Sequence, residues 1–113
     1  MIITFSDKKL GKLANDNRKL QKELGKTRTD KLKQRLDDMR AAETLEDTRH
    51  LPGHFHELTN NRKGQWACDL DQPYRLVFGP HEEPIPANQD GQYDWSEIRG
   101  VEIIEIINYH KEH

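Results

Sequence analysis

Four residues of this sequence have the side-chain types that proton transfer beside a phosphate requires: His56, Arg75, Tyr109 and His110. Histidine is the residue whose unperturbed pKa lets it accept or donate a proton near pH 7. Arginine presents a planar fork of donors to a phosphate group, and tyrosine can orient a bound group or contribute a hydrogen bond. The set indicates acid–base chemistry at an anionic group. The alternative is that each histidine is an ordinary solvated or hydrogen-bonded residue.

The stretch 51–78 is expected to position two of these residues, His56 and Arg75, on short strands. Every second residue is apolar in two runs, as in a strand that packs one face on a core. The runs are Trp66, Cys68, Leu70 and then Tyr74, Leu76, Phe78. With turn residues between the runs, the pattern predicts three strands. It places Arg75 beside Val77 on the opposite face. Packing does not explain an arginine in the middle of a strand, because valine or threonine suits a pleated surface better. Arg75 is therefore a candidate anion binder.

The first 50 residues predict a strand followed by helices. The strand is Ile2 to Phe5, and a first helix begins after Ser6-Asp7 and ends at Gly25. A second helix is predicted after Thr29-Asp30, followed by a short turn or 3₁₀ element at 44–49. The apolar stripes of the two helices predict a helical hairpin that packs on the sheet, and their members are Leu10, Leu13, Leu20, Leu24, then Leu32, Leu36, Met39.

After Phe78 the chain enters a long acidic segment, 79–100, and then a final apolar run, 101–109. Tyr93 and Trp95 are expected to hold the segment against the body of the protein, although a plain insertion at a hairpin tip is an alternative. The final run is apolar on both faces and predicts a central strand. Its alternation places Ile103, Ile107 and Tyr109 on one face and His110 on the other.

These elements predict a single α+β domain over 1–113: an N-terminal strand and a two-helix hairpin packed on an antiparallel-rich sheet of about four to five strands. Cys68 is the single cysteine and lies on the inward face of its strand, so no disulfide is possible and a reducing cytosol is expected. Neither a signal peptide nor a membrane span is expected from the sequence. No histidine spacing predicts a zinc site, and four histidines are expected to be structural: His50, His54, His81 and His113.

The net charge of −2 hides an asymmetry along the chain. Residues 1–63 hold 15 Lys and Arg against 10 Asp and Glu, whereas residues 64–113 hold 3 against 10. A positive helical face can hold a polyanion at one surface, and the alternative is a solvated helix face. The candidate polyanion-binding residues of the helices are Lys8, Lys9, Lys12, Lys19, Lys22 and Lys26.

The motifs from residue 51 onward resemble those of HigB-type killer proteins in the RelE/ParE toxin superfamily. In order, they are Leu-Pro-Gly at 51–53, His56-Glu57-Leu58, Arg-Lys-Gly-Gln-Trp at 62–66, Tyr-Arg-Leu-Val-Phe at 74–78 and Tyr109-His110. The resemblance covers about 44–78 and the last strand, and it reaches the helices only in pattern. The chain departs from the family at Asn108, where an acidic residue is usual, and in its longer 79–100 segment.

The resemblance implies a RelE-like microbial RNase fold and a toxin that cuts messenger RNA on the ribosome without metal or other cofactor. It implies a helix-turn-helix, HigA-like antitoxin as partner, with ribosome and mRNA as further partners and no membrane. His56, Arg75, Tyr109 and His110 fall on the family's catalytic pattern, and Arg62 and Lys63 join the helix lysines as candidate RNA- or ribosome-binding residues. Two alternatives remain open: a toxin of this fold that inhibits DNA gyrase by binding, and a non-enzymatic interaction domain.

Overall fold

The computed structural model describes residues 1–111 and contains one mixed sheet of five strands in the order β1-β5-β4-β3-β2. β1 pairs with β5 in parallel, and the remaining neighbours are antiparallel. The prediction of an α+β fold is confirmed, as is the central position of the last strand, which lies between β1 and β4. The strands are β1 (Ile2–Phe5), β2 (His56–Glu57), β3 (Trp66–Asp69), β4 (Tyr74–Pro80) and β5 (Gly100–Asn108).

Three helices, rather than the two predicted, pack on one face of the sheet: α1 (Lys8–Ala14), α2 (Asn17–Leu24) and α3 (Lys26–Ala41). The predicted first helix divides because Asp16 acts as a second N-cap, its carboxylate accepting from the Lys19 amide at 3.1 Å. Gly25, at φ 80°, ends α2 and starts α3. Thr29 was predicted to cap a helix but is instead buried inside α3.

The core lies between these helices and the sheet. Its helix side chains are the predicted ones, and they form one cluster with the inward residues of β3 and β4: Leu20, Leu32, Leu36, Met39, Trp66, Cys68, Leu76 and Phe78. Leu45 anchors a 3₁₀ turn at Leu45–Thr48, as predicted. Burial raises the pKa of the Cys68 thiol well above its ordinary value, so this cysteine is an inert core residue. Within residues 1–111, no helix is both long and apolar enough to cross a membrane.

The 79–100 segment is held against the body by aromatic contacts, as predicted. The ring centroid of Trp66 lies 5.5 Å from that of Tyr93 and 5.8 Å from that of Trp95. The Trp95 indole N–H donates to the Glu57 carboxylate at 2.8 Å, and the Arg49 guanidinium lies 3.7 Å from the centroid of the Trp95 ring system. These contacts attach the acidic segment to the β2 edge of the sheet.

A β-bulge interrupts the pairing of β4 with β5, and the alternation predicted for β5 is therefore wrong beyond it. Val77 pairs with Glu105 and Phe78 pairs with Ile103, so Ile104 is the extra residue. Beyond the bulge the alternation is shifted by one residue. Ile106 therefore packs on the core, and Ile107, which was predicted to share the face of Ile103, lies opposite Arg75 on the other face.

Candidate active site

His56 and Arg75 lie on the sheet face opposite the helices, which we call the site face. The strand register brings two rows of residues together there. One row contains His56, Ala67, Val77 and Glu105, and the next contains Asp69, Arg75 and Ile107. Because residues i and i+2 of a strand share a face, the rows are neighbours. The sequence prediction that Arg75 lies beside Val77, away from the helices, is confirmed.

Arg75 is held between two side chains. Its Nε lies 3.5 Å from Asp69 Oδ1, and its guanidinium carbon lies 4.0 Å from the centroid of the Tyr109 ring. The first contact is an ion pair between partly buried groups, and the second is a cation–π contact. Together they fix the position of the guanidinium at the end of the sheet where β5 ends.

Tyr109 and His110 are brought together although the strand alternation separated them. β5 ends at Asn108, and residues Tyr109–Lys111 form a 3₁₀ turn, so the period of a strand no longer applies. The two rings lie 4.6 Å apart between centroids. The Asn108 carboxamide oxygen accepts from the His110 amide at 3.2 Å, and the Tyr109 hydroxyl donates to Gln72 at 2.9 Å. The turn thus places the Tyr109 ring against Arg75 and the His110 ring against that of Tyr109.

His56 has a defined tautomer. Its Nδ1 lies 2.7 Å from the backbone oxygen of His54, and because a carbonyl can only accept, Nδ1 carries the proton. Burial is the main cause that lowers the pKa of the His56 imidazole, and the positive charge of Arg75 acts in the same direction. His56 is therefore neutral at pH 7, with Nε2 as its proton-accepting nitrogen.

Sequence reasoning missed two residues of this cluster, His54 and Asp69. The His54 ring stacks on His56 with centroids 4.2 Å apart, and its Nδ1 lies 3.8 Å from Asp69 Oδ2. The available signal for Asp69 was the alternation of β3, which places it on the face of Arg75. The signal for His54 was its spacing of two from His56. Neither spacing could reveal that one carboxylate lies between His54 and Arg75.

A cavity of about 330 Å³ opens beside Arg75 and Tyr109. Its other wall is the loop 58–62, which includes Arg62. The Arg62 guanidinium donates to Glu105 at 2.5 Å and to Gln65 at 3.0 Å, and these contacts hold the loop over the site face. With two guanidinium groups in its wall, the cavity suits an anionic ligand. Lys63 lines a separate cavity against the 79–100 segment.

The helix lysines lie on a different surface from Arg75, because the helices cover the opposite face of the sheet. All six are exposed. Lys26 pairs with Asp30 at 2.8 Å, which raises the pKa of this lysine. Lys9 and Lys19 share a cavity with Glu105 at the edge of β5, where the two surfaces meet. The remaining lysines of the set are Lys8, Lys12 and Lys22.

His50 and His81 are not part of this cluster. His81 Nε2 lies 2.7 Å from the Thr4 hydroxyl, at the far end of the sheet, and His50 is exposed. His113 lies outside the described residues. Among residues 1–111, no three His, Cys, Asp or Glu side chains are grouped closely enough to hold a metal ion.

A known protein family matches most of the chain. A family model described as a RelE-like toxin of the type II toxin-antitoxin system HigB matches residues 3–88. This range includes His56, Asp69 and Arg75, whereas Tyr109 and His110 lie beyond it. A search of curated proteins found no match. Since the matched residues make up well over half of the sequence and carry the helices and four of the five strands of the sheet, the chain belongs to the HigB-like family of RelE-like toxins of type II toxin–antitoxin systems.

Proposed function

We propose that this toxin is a ribosome-dependent endoribonuclease that cleaves messenger RNA without a metal ion. The observation that carries the proposal is the state of His56: a neutral imidazole whose Nδ1 proton is donated to a backbone carbonyl, next to a fixed arginine. A general base must be unprotonated at the working pH, and a phosphate must be held as its charge grows. On the site face, His56 is the proposed base and Arg75 the proposed phosphate-binding group.

In the proposed reaction, His56 Nε2 accepts the proton of a ribose 2′-hydroxyl, and the 2′-oxygen forms a bond to the adjacent phosphorus. The bond from phosphorus to the 5′-oxygen breaks, and His110 donates a proton to that oxygen. The products are a 2′,3′-cyclic phosphate and a 5′-hydroxyl end. Arg75 stabilises the charge on the phosphate oxygens in the transition state, and Tyr109 holds Arg75 through its ring.

Messenger RNA and ribosome are proposed to contact charges outside this site. Arg62 lines the same cavity as Arg75, and Lys63 extends the positive loop. We assign ribosome association to the exposed lysines of the helices, and cytoplasmic action follows from that substrate. Family membership implies an antitoxin partner. We propose that it is a HigA-like helix-turn-helix protein, which copurification with the product of the neighbouring reading frame would test.

Induction in cells followed by primer extension tests the nuclease assignment. New 5′ ends are expected inside translated messages, and they should disappear with His56→Gln and persist with the control His50→Gln, because His50 is an exposed histidine outside the site. Blocked translation with intact messages, or trapping of DNA gyrase, would refute the assignment and favour a toxin that acts by binding.

A further inference from the structure

We infer that Asp69 is a positioning residue of this site, and that its carboxylate sets the placement of Arg75 and of the stacked pair His54 and His56. The inference rests on the proposed nuclease function and adds to it two residues that the family pattern did not indicate.

The main chain of Asp69 is fixed on both sides. Its amide donates to the Gly53 carbonyl at 2.6 Å, and its carbonyl accepts from Arg35 Nε at 2.8 Å. Arg35 is a buried arginine of α3 that passes beside Gly53, where an added Cβ would lie 2.4 Å from Arg35 Nε. Gly53 also has φ 111°, which favours glycine. The end of β3 and the residue before His54 are therefore held together.

The Asp69 carboxylate lies between the Arg75 guanidinium and the His54 imidazole. Oδ1 is 3.5 Å from Arg75 Nε, and Oδ2 is 3.8 Å from His54 Nδ1. Both Asp69 Oδ1 and Arg75 Nε are buried, and neither makes a hydrogen bond. Burying a charged oxygen without a hydrogen bond is costly, and a purely structural carboxylate would be expected to make one. Its position is instead explained by the two groups that it holds.

His54 carries the effect of Asp69 to His56. The backbone carbonyl of His54 selects the tautomer of His56, and its ring lies nearly parallel to the His56 ring, with an interplanar angle of 15°. Burial lowers the pKa of His56 most; of the titratable side chains around it, His54 and Arg75 also lower that pKa, and Asp69 raises it. Loss of the Asp69 charge therefore lowers the pKa of His56 further and releases both partners.

The test compares Asp69→Asn with the matched control Asp71→Asn. Asp71 also pairs with an arginine, Arg28, through bonds of 2.9 and 3.2 Å, but beside the helices and Tyr74 rather than in the site. In single-turnover cleavage on programmed ribosomes, Asp69→Asn should lower the rate on the order of 10- to 100-fold, because misplaced catalytic groups cost about that much. Ribosome affinity should be unchanged. Asp71→Asn should keep the wild-type rate.

The pH profile separates positioning from a structural role. Asp69→Asn should move the acid limb of the cleavage rate to lower pH, in parallel with the NMR titration of the His56 ring in the free protein. An unchanged rate and an unchanged His56 titration would overturn the inference. The NMR titration does not depend on cleavage, so a wild-type protein that cuts no RNA would refute the nuclease function alone. A titration shift would still support the role of Asp69.

Two substitutions at His54 separate the effect of its ring stacking from that of its contact with Asp69. His54 has φ 49°, which asparagine accepts more readily than most residues. His54→Phe keeps a ring to stack on His56 but loses the contact with Asp69, whereas His54→Asn loses the stacking as well. We expect His54→Asn to be slower than His54→Phe. Equal, wild-type rates for both variants would remove His54 from the site.

Discussion

Replacing Arg75 by lysine distinguishes a catalytic arginine from a structural one. Lysine keeps the charge that faces Asp69 and loses the planar fork and the cation–π contact with Tyr109. Such a contact is worth about 0.5–1 kcal/mol at exposed sites and about 2 kcal/mol when desolvated, and the partly buried Arg75 lies between these limits. A loss of about 1 kcal/mol would lower the melting temperature by only about 4 °C for a domain of this size.

The expected change in rate is much larger than the change in stability. Loss of one electrostatic contact to the transition state commonly costs on the order of 100-fold or more, or about 2.7 kcal/mol. Arg75→Lys should therefore slow single-turnover cleavage by about that factor and leave ribosome binding nearly unchanged, because only interactions that strengthen in the transition state speed the chemical step.

Arg28 provides the matched control. Its guanidinium carbon lies 3.4 Å from the Tyr74 ring centroid, and it pairs with Asp71, so its surroundings repeat those of Arg75 outside the site. Arg28→Lys should lower the melting temperature by a similar amount without slowing cleavage. If Arg75→Lys turns over at a near-normal rate, and Arg75→Ala shows only a lower melting temperature, Arg75 has a structural role and the proposed mechanism is wrong.

Three further predictions follow from the lowered pKa of His56, the helix lysines and Gly53. The acid limb of the cleavage rate, which reports His56, should have its midpoint below pH 6.5, because burial lowers the pKa of this imidazole. The stability that the neutral His56 contributes should be present above pH 6.5 and lost as the pH falls through its lower folded-state pKa, which denaturation at several pH values would measure. An acid limb with its midpoint above pH 6.5 would contradict this. Charge reversal at several helix lysines should weaken ribosome binding. It should also reduce the slope of the logarithm of the binding constant against the logarithm of salt concentration by about 0.9 per lost phosphate contact. An unaltered slope would mean that these lysines only contact solvent. Gly53→Ala should destabilise the protein by more than Gly91→Ala, since both glycines have positive φ but only Gly53 meets a side chain, Arg35; equal melting temperatures would show that the Arg35 contact yields easily.

Much of the fold could be predicted because its signals are local. The alternation around Trp66 and Phe78 identified β3 and β4, and the leucine stripes identified the helix faces. The break at Asp16 was missed because the apolar period continues across it, and only the capping of α2 by that carboxylate shows where a helix begins. Local pattern therefore predicts which face is buried more securely than it predicts where an element starts.

The candidate site could be named only in part from the sequence, for a different reason. His56, Arg75 and the terminal Tyr-His pair could be named from residue type and family pattern. The role proposed for Asp69 depends on strand register and on the loop before β2, which together set its distances to Arg75 and His54. Contacts between residues distant in sequence are fixed by tertiary packing, and no periodicity within one strand contains them.

The bulge at Ile104 has a consequence for anyone who recombines this chain with a relative. The strand segments before and after it are out of phase, so a crossover that omits the extra residue would exchange the two faces of everything downstream. Ile106 would then turn toward the solvent, and the Tyr109 ring would leave Arg75. A chimera should therefore take the whole of β5 and the turn after it from one parent, with no crossover inside them.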